Sequence, residues 1–128
     1  MIYSATINRI IDGDTLVARL DLGLGIEMTK HIRLFGINAP ELNTEEGKQA
    51  KAWLNDHLLF RVVNLDVDPK QIHDKYGRLL AVIFMSGLNI NQELISQGYA
   101  TAYNGGKRAT SPATIPTATL PLPTPKPG

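Results

Sequence analysis

YSATINRIIDGDTLVARLDL, residues 3–22, alternates apolar and polar residues on both sides of an Asp-Gly-Asp break. Tyr3, Ala5, Ile7 and Ile11 share one face of a first strand, and Leu16, Ala18, Leu20 and Leu22 one face of a second. Side chains alternate across a strand with a period of two, so each of these strands offers one face to a core. Asp-Gly between alternating segments is a strong hairpin signal. An antiparallel hairpin therefore opens the chain, and the rest of the sequence has to cover its apolar face.

The residues that follow supply that cover. The glycines of LGLG (22–25) turn the chain toward a third strand at about 29–37. Asn43, with Glu46 three residues on, has the form of a capping box. The helix behind it carries Ala50, Trp53, Leu54, His57 and Leu58 on one stripe. Val63, Leu65 and Val67 alternate in a fourth strand, and the polar loop 68–77 leads into LLAVIFM (79–85), a run suited to a strand buried on both sides. A short helix over about 90–97 starts behind Asn89, carries Ile90, Leu94 and Ile95, and stops at Gly98. The chain is thus mainly β with some α. The economical architecture is a five-stranded, partly open OB-type barrel, with a helix inserted after strand three and a short helix after strand five.

Composition divides the chain in two. Residues 110–128, TSPATIPTATLPLPTPKPG, hold six of the eight prolines and no aromatic residue, and predict an extended tail or linker behind a folded domain at 1–109. The 13 Lys and Arg against 12 Asp and Glu give a net charge of +1. A broad basic surface is therefore not advertised, although a small site that opposes a few arginines to a few carboxylates is compatible with this balance. The lack of cysteine excludes disulfides and thiolate chemistry. No apolar run approaches the roughly 20 residues that span a bilayer, so no membrane association is expected. MIYSATINRI has no basic region followed by an apolar one, which points to the cytoplasm, while the Pro/Thr-rich tail leaves a secreted protein as the alternative.

Few residues invite chemistry. Asp12 suits a turn former in IDGDT (11–15), and Asp14, beside Thr15, stands past that turn. Arg33 lies between Ile32 and Leu34, where a guanidinium must snorkel, pair with an acid or face a ligand. Glu41 follows Pro40, which stiffens the turn before it. In DKYGR (74–78), Tyr76-Gly77 suits a turn and Arg78 either the charged lip of a strand or a site. His31, His57 and His73 lack metal-ligand spacing and read as surface or rim residues. Two arginines can grip a phosphodiester, Asp14 and Asn38 offer oxygen ligands to a hard cation such as Ca²⁺, and Glu41 can take a proton from water. Together they suffice for metal-assisted phosphodiester hydrolysis.

IIDGDTLV, IRLFGINAPE, DKYGRLLAVIF and LNINQELISQGYA resemble the successive blocks of the staphylococcal-nuclease-like (thermonuclease) family, in order and at similar spacing, over roughly residues 5–103. The resemblance implies an OB-type barrel and Ca²⁺-dependent hydrolysis of DNA and RNA, single-stranded or flexible by preference, that leaves 3′-phosphates. It implies Arg33 and Arg78 as the phosphate-binding arginines and Glu41 as the acid that activates water. It gives Asp14 as the first metal carboxylate, Ala39 as the donor of a main-chain carbonyl to one weakly bound Ca²⁺, and Asp12 and Thr15 as supporting neighbours. Lys75 and Tyr76 would border the nucleotide, with Tyr103 an aromatic face for a base. A monomer is expected. Two features depart from the family: Asn38 replaces the second metal carboxylate, and a long C-terminal helix is not evident. An asparagine carbonyl is an accepted Ca²⁺ ligand, one charge poorer. The alternatives are a catalytically weakened or inactive OB-fold nucleic-acid-binding module and a domain that merely tethers through its tail.

Overall fold

Ile7, Leu16, Ile32, Leu65 and Ile83 come from five different strands and are fully buried in one cluster. The computed structural model that shows this describes residues 1–103, so the expected tail at 110–128 and the end of the expected domain at 109 lie outside the described residues. The elements are β1 (Ile2–Asp12), β2 (Thr15–Asp21), β3 (Glu27–Leu34), β4 (Ile37–Asn38), α1 (Glu45–Leu58), β5 (Val62–Asp66), β6 (Leu79–Met85), β7 (Leu88–Asn89), α2 (Ile90–Ser96) and β8 (Thr101–Ala102). The five long strands run in the order β3-β2-β1-β5-β6, antiparallel at each step, and β7 is appended to β6. Parallel pairing of Ile32–Leu34 with Leu79–Ala81 closes the ring. The barrel is of OB type, as the order of elements predicts, and the β3–β6 pairing makes it closed and not partly open. Among the described residues no helix is long and apolar enough to cross a membrane.

Local departures from simple alternation have physical causes. Register shifts between Ile7 and Arg9 and between Ile10 and Asp12 mark bulges in β1. Each bulge inserts an unpaired residue and turns the following side chains over. Ile10 is consequently the core residue, and Ile11, expected there, is only half-buried. Leu22 is 40% exposed, because β2 ends at Asp21 and the chain turns at Gly23. β3 is shorter than expected and stops at Leu34, before a turn in which Gly36 takes φ +82°. β6 buries one face, through Leu79, Ala81 and Ile83, and only half-covers Leu80, Val82 and Phe84.

The helices are fixed by their caps. The expected capping box at Asn43 and Glu46 does not form: Thr44 is the N-cap, and Gly47 N–H donates to its hydroxyl at 3.0 Å. Position 47 packs so closely under the Glu41 carbonyl that any Cβ would overlap it. Ala50, Leu54 and Leu58 face the core, Trp53 is half-buried, and His57, expected on the same stripe, is exposed and stacked on Trp53 at 4.2 Å. Asn89 caps α2 as expected and accepts from Gln92 N–H at 3.0 Å. The buried Asn91 was not visible as structural in the sequence. Its Oδ1 accepts from Ile83 N–H, while its Nδ2 donates to the carbonyls of Phe35 and Ala81, which ties α2 to β6 and to the turn after β3.

Candidate active site

The first half of the site is organised around Asp14, in the tight connection between β1 and β2. Its side chain is buried, and each carboxylate oxygen has a neutral donor: Thr15 hydroxyl to Oδ1 at 3.0 Å and Ala39 N–H to Oδ2 at 2.8 Å. Its main-chain oxygen accepts from Leu34 N–H at 2.9 Å. One residue thus fixes both the end of β3 and the turn at Asn38-Ala39-Pro40. Gly13 makes this approach possible, since a Cβ there would lie 2.7 Å from those of Ala39 and Ala50.

Register delivers Arg33 to the same place, because Thr15 and Arg33 are partners across β2 and β3. The Arg33 Nη2 lies 3.6 Å from Asp14 Oδ2 and donates to Asn38 Oδ1 at 3.4 Å, while Nη1 donates to the Leu34 carbonyl at 2.8 Å. Asp12 is half-buried beside Asp14 and accepts from Asp14 N–H at 3.2 Å. Burial, and then the neighbouring Asp14 carboxylate, raise its carboxyl above the ordinary range, although the Asp14 N–H opposes the change. Asp14 is paired with Arg33, while Asp12 has no ion pair among the described residues, which leaves local negative charge that a hard cation fits. Among the described residues no group of three or more Asp, Glu or His side chains gathers to hold a metal ion. Beyond Asp12 and the Thr15 hydroxyl, the side-chain oxygen that Arg33 ties to this group is the neutral Asn38 Oδ1, on an exposed residue.

The second half is the loop that leads into β6. Asp74 Oδ1 accepts from the main-chain N–H groups of Tyr76 and Arg78, both at 2.9 Å, and Oδ2 takes the Arg78 Nε at 2.7 Å and pairs with Nη2 at 2.7 Å. Burial by itself would raise the Asp74 carboxyl. The hydrogen bonds from Arg78 and Tyr76, together with the guanidinium charge, hold it below the usual carboxylate range instead. The turn is completed by Gly77, at φ +83°. Arg78 Nη1 then reaches back 3.4 Å to the Thr15 hydroxyl, so a single side chain connects Asp14 to Arg78. The sequence reading overlooked Asp74. Its signal was an acid at the head of a Tyr-Gly turn, four residues before the arginine.

Arg33, Arg78, Lys75, Tyr76, Tyr103 and Leu80 line one cavity of about 520 Å³. The Arg33 guanidinium lies 5.9 Å from the Tyr103 ring centre, and Arg78 and Lys75 each lie 5.3 Å from that of Tyr76. Tyr76 is 72% exposed, so its ring is available to a planar ligand. Asn38, Ala39 and Glu41 do not line this cavity. Glu41 is exposed on the loop between β4 and α1, where its main-chain oxygen accepts from the Thr44 hydroxyl and N–H. Its carboxylate makes no hydrogen bond or ion pair among the described residues. The structure therefore brings Arg33, Arg78, Asp14, Asp12, Thr15 and Asn38 into one connected group with Lys75, Tyr76 and Tyr103 around it, and leaves Glu41 at the margin.

Comparison with known proteins bears on the same region. The family model described as staphylococcal nuclease homologue matches residues 31–116, which includes Arg33, Asn38, Glu41 and Arg78 and begins after the first hairpin. The chain is 34% identical over 100 residues to the thermonuclease of Staphylococcus hyicus, covering 73% of this chain and 56% of that protein. It is 39% identical over 95 residues to an uncharacterized endonuclease of Haemophilus influenzae, covering 74% and 49%. With the thermonuclease of Staphylococcus intermedius it shares 33% over 105 residues, covering 77% and 59%. The chain spans about half the length of these relatives.

Proposed function

The chain belongs to the family of staphylococcal nuclease homologues, and from that premise we propose that it is a nuclease that hydrolyses phosphodiester bonds of DNA and RNA. The observation that carries this reading is the convergence of Arg33 and Arg78, from opposite sides of the β3–β6 closure, on the Asp14–Thr15 pair and on one cavity. A phosphodiester held between the two guanidinium groups meets paired donors, and charge that grows on its oxygens is stabilised where it forms. Asp74 keeps Arg78 oriented for this task before any substrate arrives. Glu41, unpaired and exposed, takes the proton of the attacking water. The water oxygen bonds to phosphorus as the P–O5′ bond breaks, the 5′ oxygen leaves as a hydroxyl by taking a proton from solvent water, and a 3′-phosphate remains.

The cofactor in this reading is a single Ca²⁺, held by Asp14, the Asn38 Oδ1 and the Ala39 carbonyl, with Asp12 and Thr15 behind. When bound it supplies Lewis-acid charge to the phosphate oxygens. Because Asn38 is neutral, binding is weak. Tyr76 and Tyr103 offer aromatic faces to unpaired bases, which favours single-stranded or flexible strands over a rigid duplex. The barrel acts as a monomer.

The neutral, exposed Asn38 favours a second reading, an OB-type module that binds nucleic acid without cleaving it. Incubation of heat-denatured DNA with the protein, with Ca²⁺ or with a chelator, separates the two. A nuclease digests the DNA only with Ca²⁺, and Glu41→Gln abolishes digestion. Intact DNA at millimolar Ca²⁺, with binding that survives the chelator, would establish the second reading.

A further inference from the structure

A second, open groove is lined by Thr29, Lys30, His31, Tyr76, Gly77 and Arg78. Tyr76 and Arg78 also line the main cavity, so the two depressions share a wall. The groove exists because of how the barrel closes. β3 pairs with β6 only from Ile32 onward, so Glu27–His31 is paired on the β2 side alone. The Asp74–Arg78 turn stands opposite this open edge and makes the other wall.

The chemistry of the groove is cationic and uncommitted. Among the described residues neither Lys30 nor His31 takes part in an ion pair or a side-chain hydrogen bond, and Glu27, the acid on the same strand, is paired with Arg19 at 3.3 Å. Arg33 and Arg78, by contrast, are already engaged by Asp14, Asn38 and Asp74. His31 and Arg33 share a face of β3, roughly 7 Å apart along the strand and about one nucleotide step, whereas Lys30 leaves the opposite face, so Lys30 and His31 flank the open edge from its two sides. Along an open edge, every second main-chain N–H also points outward and is free to donate.

Resting on the nuclease reading, we propose that this groove is a second backbone-phosphate subsite, in which the Lys30 ammonium and the His31 ring N–H hold the phosphate adjacent to the scissile one. The scissile phosphate sits between Arg33 and Arg78, the strand passes Tyr76, and the neighbouring phosphate lies against the open edge of β3. The protein is then built for polynucleotides. A dinucleotide, whose only phosphate is the scissile one, leaves the groove empty.

The test is steady-state cleavage of oligothymidylates of two and of eight nucleotides by the wild type, Lys30→Ala, His31→Ala and Lys30→Arg. Lys30→Ala should lower kcat/KM on the octanucleotide roughly three- to tenfold, through KM with kcat unchanged. It should leave the dinucleotide unaffected and reduce the slope of log KM against log salt on the octanucleotide by about 0.7. His31→Ala should show the same length dependence, and Lys30→Arg should restore the wild-type value. Equal losses on both substrates, or no loss on either, would overturn the subsite while the nuclease reading stands. A wild type that cleaves neither substrate would remove the nuclease reading, and the subsite with it.

Discussion

Asp74 holds Arg78 at both ends: its Oδ1 accepts the arginine's main-chain N–H at 2.9 Å, and its Oδ2 accepts Nε and pairs with Nη2, each at 2.7 Å. The backbone of the turn and the direction of the guanidinium are therefore set by one carboxylate. Asp74→Ala should let Arg78 swing away from Thr15 and should cost about 10- to 100-fold in kcat, with a smaller change in KM, because a misdirected guanidinium fails mostly at the transition state. Asp74→Asn keeps an oxygen for the two main-chain N–H groups and loses the charge pair, so it should fall between wild type and Asp74→Ala. Equal activity of all three proteins would mean that the guanidinium needs no such support.

The same pair sets a pH dependence. Asp74 in the folded protein titrates below its ordinary value of 3.8. A carboxyl whose folded value is depressed adds stability above its unfolded value and loses it as pH falls through the folded one. The stability difference between wild type and Asp74→Asn should therefore be full at pH 7 and shrink below about pH 4, where the unfolded carboxylate begins to take up protons. Urea unfolding at pH 7 and pH 3 measures it, and a difference that grows on acidification would contradict the sign.

The helix α1 offers a test of where its cap lies. Thr44, not Asn43, accepts the N–H of Gly47. Thr44→Ala should cost about 1 kcal/mol of stability, and Asn43→Ala no more than about 0.5 kcal/mol. Gly47→Ala ought to help an ordinary helix. Here its Cβ would overlap the Glu41 carbonyl, so a loss of about 1–3 kcal/mol is expected, together with lower activity as the Glu41 loop is pushed out.

The sequence was legible where structure is local. The period-two alternation around Asp12-Gly13-Asp14 marks the first hairpin, and Arg33 and Arg78 stand out because each is charged beside an apolar run. The β3–β6 pairing that closes the barrel joins segments far apart in the chain, and no short pattern reports it. The bulges in β1 moved the core position from Ile11 to Ile10, since alternation alone cannot count an inserted residue. Asp74 and Asn91 passed as loop and helix-surface polar residues because their partners, Arg78 and the carbonyls of Phe35 and Ala81, are chosen by tertiary packing. His31 passed as a rim residue for the same reason: the groove beside it exists only once the turn at 74–78 stands opposite β3.

Asn38 is where the proposed metal requirement is most exposed to experiment. Its Oδ1 accepts from Arg33 Nη2 at 3.4 Å, and Arg33 in turn lies 3.6 Å from Asp14. Asn38→Asp adds a carboxylate to a group that already holds Asp12 and Asp14. Without a cation the added repulsion should lower stability, and Asp12 should resist ionisation further. With Ca²⁺ the same charge becomes a stronger ligand, so the metal should stabilise Asn38→Asp more than the wild type, through its preference for the folded state. Thermal melts across a Ca²⁺ titration should show a larger rise in Tm for the variant, and cleavage should reach half its maximal rate at about tenfold less Ca²⁺ or lower. An unchanged requirement would mean that the side chain at position 38 does not touch the metal, leaving Asp14 and the main-chain oxygen of Ala39 to hold it.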